Sequence, residues 1–177
     1  MDPIGTICLL FAGFGWGKPV QINPANFANP ERDSAKVAFA GPLMNFILAF
    51  VFAIIYAIAY IVEIKTGMFE FSQEGATLNT SCEILNSIIS NAMCLNIGLG
   101  LFNLLPFPPL DGSKIYRYFL RGTAKKILYK MEQYSWIFIA IIFATHITSY
   151  ILTPLMELIL NYVLLPIINL IVKIGLS

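Results

Sequence analysis

Long apolar runs separated by short polar segments set the pattern of the chain. A bilayer core takes about 20 mainly apolar residues in helix. Residues 35–62 supply such a run, interrupted by Lys36, Gly41, Pro42 and Asn45 near its start. Residues 84–105 form a second, more polar run that contains Asn86, Asn91, Asn96 and Asn103. Residues 136–152 and 155–172 form a third and a fourth, and Thr153-Pro154 between them is expected to be a tight turn. The opening apolar stretch, residues 4–16, is glycine-rich and too short to span, so residues 1–34 are expected to form a re-entrant segment and a small hairpin. The predicted fold class is an all-α polytopic membrane protein with about four transmembrane helices, residues 1–177 making a single membrane-embedded domain.

Composition agrees with that pattern and excludes a soluble domain. Hydrophobic residues make up 58% of the chain and charged residues 12%, against roughly 45–50% and about 25% in soluble proteins. So few polar groups cannot cover a water-facing surface, and the excess apolar area has to meet lipid. A net charge of +1 gives no electrostatic reason to expect a nucleic-acid partner. Cys8, Cys82 and Cys94 are odd in number and none lies in a CxxC spacing, so neither a disulfide framework nor a zinc knuckle is indicated.

Charge placement orients the helices. Six of the eleven basic residues, Lys114, Arg117, Arg121, Lys125, Lys126 and Lys130, fall in residues 111–133, whereas residues 63–83 hold Lys65 against Glu63, Glu70, Glu74 and Glu83. The positive-inside rule puts 111–133 in the cytoplasm and 63–83 outside. With four spans, Lys18, Arg32, Lys36 and Lys173 also fall inside. Residues 113–133 mix these cations with Tyr116, Tyr118, Phe119, Ile127, Leu128 and Tyr129, which suits an interfacial helix at headgroup level; a solvated cytoplasmic loop is the alternative.

Three segments are candidates for chemistry. In FNLLPFPPLDG, residues 102–112, three prolines in four residues cannot continue a helix, because each lacks an N–H and clashes with the preceding turn. Asp111 follows at the broken end. A carboxylate at membrane depth is costly and persists mostly where it serves a cation, a proton path or a metal; alternatively Asp111 lies at the water interface and caps a helix that starts at Ser113. In AGPLMN, residues 40–45, Gly41-Pro42 permits close backbone approach, and Asn45 can hydrogen-bond a neighbouring helix. In GFGWGKPVQINPANFANP, residues 13–30, the stretch around Val20, Gln21 and Ile22 reads as extended backbone. Its open edge could add a peptide strand, and an ordinary Pro/Asn loop is the alternative.

Taken together and in order, the DPIGT start, GFGWGKPVQINPANFANP, AGPLMN and FNLLPFPPLDG resemble the site-2 protease family of intramembrane zinc metalloproteases, in its compact prokaryotic form without a PDZ domain. The likeness covers about residues 2–135, and PPLDG after an asparagine-bearing span is its most specific part. The resemblance implies that Asp111 is the third zinc ligand, beside the two histidines of an HExxH helix whose glutamate activates a water on the metal. It also implies that Asn45 and Asn103 contact substrate near the active site, and that Val20, Gln21 and Ile22 hold the unwound transmembrane substrate as an added strand.

The sequence departs from that pattern in one respect. It has no HExxH, and its one histidine, His146, has no neighbouring glutamate. One carboxylate does not make a catalytic zinc site, so Zn2+ is expected only with partner spans that supply the rest, such as preceding N-terminal spans lost by truncation. A pseudoprotease is the alternative within the family, and a small transporter or channel subunit the alternative outside it, since broken helices with polar residues at depth also mark transport sites. Without partner helices the apolar faces are expected to make the chain aggregation-prone in detergent.

Overall fold

The computed structural model describes residues 23, 27–72, 75–78, 80–135, 137 and 147–177. Val20, Gln21, Ile22 and His146 lie outside them, as do most of the re-entrant segment and hairpin expected in 1–34 and most of residues 136–146. The chain divides into two compact units, Met1–Pro30 and Glu31–Ser177, and the helices and hairpin lie in the second.

Helix α1 runs from Pro30 to Thr66. Proline is well placed at a helix start, where its missing N–H costs nothing. Glu31 and Asp33 in the first turn and Lys65 in the last complement the helix dipole. A two-stranded antiparallel hairpin follows, β1 (Phe69–Ser72) and β2 (Gly75–Leu78), with Phe69 opposite Leu78. Helix α2, Thr80–Asn103, returns. After the proline segment come the short helices α3, Asp111–Phe119, and α4, Thr123–Gln133. Helix α5, Ile147–Ile159, passes through a π-helical turn at Leu160–Leu164 into α6, Leu165–Leu176.

The chain is thus an all-α polytopic membrane protein apart from one hairpin. Among the described residues three helices are long and apolar enough to cross a membrane: α1, α2 and the Tyr150–Leu176 stretch of α5–α6. Three expectations are corrected. Thr153-Pro154 is no turn, because Pro154 lies inside α5. One proline removes a single helix hydrogen bond, and its flanks Ile151, Leu152, Leu155 and Met156 offer no turn chemistry. Within lipid, helix is the one conformation that keeps the remaining backbone groups paired. The 113–133 segment is two helices, broken at Gly122, whose φ of 62° favours glycine. And residues 63–83 are not all loop: α1 carries Glu63 within it, and the hairpin occupies the middle.

The core is narrow and built on small residues. Ala49, Ala53 and Ala57 recur one turn apart on α1 and pack with Met93 and Ile97 of α2, Leu164 of the π turn and Ile168 of α6. In lipid the hydrophobic effect does not drive helices together, so close approach and van der Waals contact must, and alanine permits that approach. Gly100 of α2 faces the Phe46 ring, with a Cβ position 3.0 Å from its Cζ. Gly98 meets the Met156 sulfur in the same way at 3.6 Å, and Gly175 the Ile61 Cδ1 at 2.5 Å.

These contacts fix the direction of the last helix. Its beginning lies against the C-terminal half of α2 and its end beside the hairpin end of α1. Lys173, two residues before Gly175, therefore sits at the hairpin end and not with Lys114–Lys130. A turn at Thr153-Pro154 would place Lys173 with the basic segment; the helix instead continues through Pro154.

Candidate functional site: where two motifs meet

Helix α2 ends at Asn103, where the chain meets Pro106, Pro108 and Pro109. The segment that follows is a series of tight turns. The Leu104 N–H donates to the Gly100 and Leu101 carbonyls at 3.2 and 3.1 Å, and the Leu110 N–H to the Phe107 carbonyl at 3.0 Å. Pro108 is fully buried and Leu110 nearly so.

The turns re-aim the chain so that α3 begins at Asp111. Leu110 is the residue before the helix, and it makes no side-chain cap bond. Ser113 contributes locally, its Oγ donating to the Leu110 carbonyl at 2.7 Å. Asp111 is therefore not the cap of a helix starting at Ser113: it is in the first turn, and its side chain is directed elsewhere.

That direction is toward α1. Asp111 Oδ2 lies 3.3 Å from where a Cβ on Gly41 would be, and Oδ1 is 3.7 Å from Lys114 Nζ. The carboxylate side chain is 35% exposed, so it faces an open space beside the helix and not a closed core. Two glycines make the arrangement possible. Gly41 leaves room for the carboxylate. Gly112 lets the turn close, since a Cβ there would lie 2.6 Å from the Leu104 carbonyl carbon and nearer still to the Leu104 and Leu105 oxygens. Pro42, fully buried in α1, holds the adjacent backbone.

The structure thus brings AGPLMN and PPLDG to one end of the bundle. Half-buried Asn45 is one helical turn beyond Gly41, and half-buried Asn103 closes α2 at the head of the proline segment.

Two carboxyl groups escaped the sequence reading. Glu63, counted there among loop acids, is 3% exposed, and the Asn86 Nδ2 donates to both of its oxygens at 3.0 Å. Asn86 Oδ1 is buried without a partner among the described residues. Glu157 is exposed on α5 at span level, its charge masked in the hydropathy pattern by the apolar residues around it. The i, i+4 spacing of Thr153, Glu157 and Asn161 was the available signal.

Asp111 alone does not hold a catalytic metal. Among the described residues there is no group of three or more His, Cys, Asp or Glu side chains placed to bind one. A catalytic zinc takes three protein ligands and a water, so this donor set by itself does not fit zinc.

Apolar helices, a proline-broken span and an aspartate set against a glycine of the neighbouring helix describe a membrane-embedded helical scaffold with a carboxylate at one end. The chain belongs to the site-2 proteases, peptidase family M50, whose sequence pattern it matches over residues 18–147. It is 35% identical over 158 residues to the Bacillus subtilis (strain 168) protein YwhC, whose name proposes a zinc metalloprotease; the match covers 89% of this chain and 67% of that protein. No solved structure matches the chain.

Proposed function

We propose that this chain is the aspartate-bearing part of a site-2-type zinc metalloprotease centre that cleaves peptide bonds of transmembrane substrates near the cytoplasmic side. The supporting observation is the approach of Asp111 Oδ2 to Gly41, which joins two family motifs at one end of the bundle. Asp111 offers one anionic oxygen donor there. The histidine pair and the glutamate base come from outside these 177 residues, on partner spans, and the chain by itself holds no zinc tightly and is inactive. Asn45 and Asn103 contribute side-chain amides that hydrogen-bond the substrate backbone, and the Val20–Ile22 stretch adds the unwound substrate as a strand. Residues 111–133 lie on the cytoplasmic side and 63–83 outside, as the basic surplus of the former requires.

A family member without catalysis is the second reading, and the presence of a single histidine favours it. The test joins the chain to an HExxH-bearing segment and measures zinc content together with cleavage of a single-span membrane substrate. The proposal expects about one zinc per chain and cleavage in the joined protein, both lost in Asp111→Ala. Zinc and cleavage that survive Asp111→Ala refute the ligand assignment. A joined protein that binds zinc through Asp111 and leaves every substrate intact supports the non-catalytic reading.

A further inference from the structure

At the same end of the bundle, α1 and α3 enclose a groove of about 440 Å3. On α1 it is lined by Arg32, Ala35, Lys36 and Phe39, which fall at i, i+3, i+4 and i+7 and so share one helix face. On α3 it is lined by Ile115, Tyr118 and Phe119, again one face. The floor is apolar and open: Phe39 is 44% exposed and Phe119 is 71% exposed. The rim is cationic.

The order of these groups along α1 matters. Arg32 and Lys36 lie near the helix start, and Phe39 lies deeper along a helix that is long and apolar enough to cross a membrane. Charge stands outside and aromatic surface inside, which is the polarity of a phospholipid with its head at the membrane surface. Asp33 is bonded to Arg32 at 3.2 Å and stands 3.7 Å from Lys36, and the Arg32 and Lys36 side chains are still 48% and 67% exposed. The surroundings add further cations. Lys114, Arg117, Arg121, Lys125, Lys126 and Lys130 stand on α3, α4 and their joint, against the carboxylates Glu31, Asp111 and Glu132.

We propose that this groove is a binding site for one anionic phospholipid, its phosphate held by Arg32 and Lys36 and an acyl chain lying over Phe39, Ile115 and Phe119. Basic pockets between membrane helices on the cytoplasmic side recognise anionic headgroups in this way. A zwitterionic lipid would fill the same apolar floor but bring its own cation to a rim already positive. The site does not depend on the proteolytic reading.

Native mass spectrometry of the chain in mild detergent, titrated with dioleoylphosphatidylglycerol or dioleoylphosphatidylcholine, tests this. The expected result is one retained anionic lipid per chain, with about tenfold or greater preference over the zwitterionic one. Arg32→Gln with Lys36→Gln should bring that preference to within about twofold, whereas Lys126→Gln with Lys130→Gln should keep it. Phe119→Ser, at an exposed position, should weaken retention of both lipids and leave the headgroup preference intact. Far-UV circular dichroism of each variant confirms that the helices persist. Equal retention of the two lipids, equal loss in both double variants, or displacement of the lipid by inorganic phosphate alone would overturn the proposal. So would dimers cross-linked through Phe119→Cys that form in lipid-free detergent and exclude the lipid.

Discussion

Gly41 and Gly112 show how one residue type serves two ends at this site. At Gly112 the atoms in the way are backbone carbonyls of Leu104 and Leu105, which cannot move without undoing the turn. Gly112→Ala should therefore cost about 3 kcal/mol or more, read as a large loss of thermal stability. At Gly41 the obstructing atom is the mobile end of the Asp111 side chain. Gly41→Ala should leave the melting temperature nearly unchanged and, in protein carrying the histidine pair, weaken zinc retention by displacing the carboxylate. Equal effects of the two substitutions on stability would contradict this division. The Glu63–Asn86 pair makes a second contrast. Asn86→Leu strands a buried carboxyl group and should destabilise by roughly 3 kcal/mol. Glu63→Gln keeps a hydrogen-bonding partner for Asn86 and should cost much less, and thermal unfolding of the two variants side by side decides the matter.

Prolines divide the elements that could be read from sequence from those that could not. The cluster Pro106, Pro108 and Pro109 ends α2 as its sequence demands, because three missing donors and three ring clashes leave no helix to continue. Pro154 stands alone among bulky apolar residues, and local chemistry does not decide there: the bilayer's intolerance of unpaired backbone does, and the helix goes on. The same limit applies at Glu63, since a count of charges along the chain cannot tell a loop acid from one turned inward against Asn86. The membrane class, the extents of α1 and α2 to within a few residues and the break before Asp111 were all legible. The approach of Asp111 to Gly41 was not, because it joins residues seventy apart and has no local signature. A cysteine at position 153 distinguishes the two structures for this segment. Within a continuous helix Thr153→Cys should resist a membrane-impermeant maleimide in intact vesicles, whereas a turn between two spans would present it to water and label readily.

At the scale of the whole molecule the core is spare, a stripe of alanines and a few aliphatic side chains. Only 11% of the apolar window in the last helix is buried, so most of that helix faces outward. The direction of that helix sets which end of the bundle carries the C-terminus. With Gly175 against Ile61, Lys173 belongs to the hairpin side, opposite Lys114–Lys130. Single cysteines at positions 173 and 126 should therefore react with an impermeant reagent from opposite faces of oriented vesicles, and labelling of both from one face would restore the four-span arrangement.

In the proposed centre Asp111 is a zinc ligand made available by its approach to α1. X-ray absorption at the zinc edge, on protein carrying the histidine pair, tests this most directly. The expected result is two imidazole nitrogens and light oxygen donors around the zinc at about 2.0–2.2 Å, with one oxygen donor lost or replaced by water in Asp111→Asn and the metal more readily removed by a chelator. A zinc shell and chelator resistance unchanged by Asp111→Asn would contradict it.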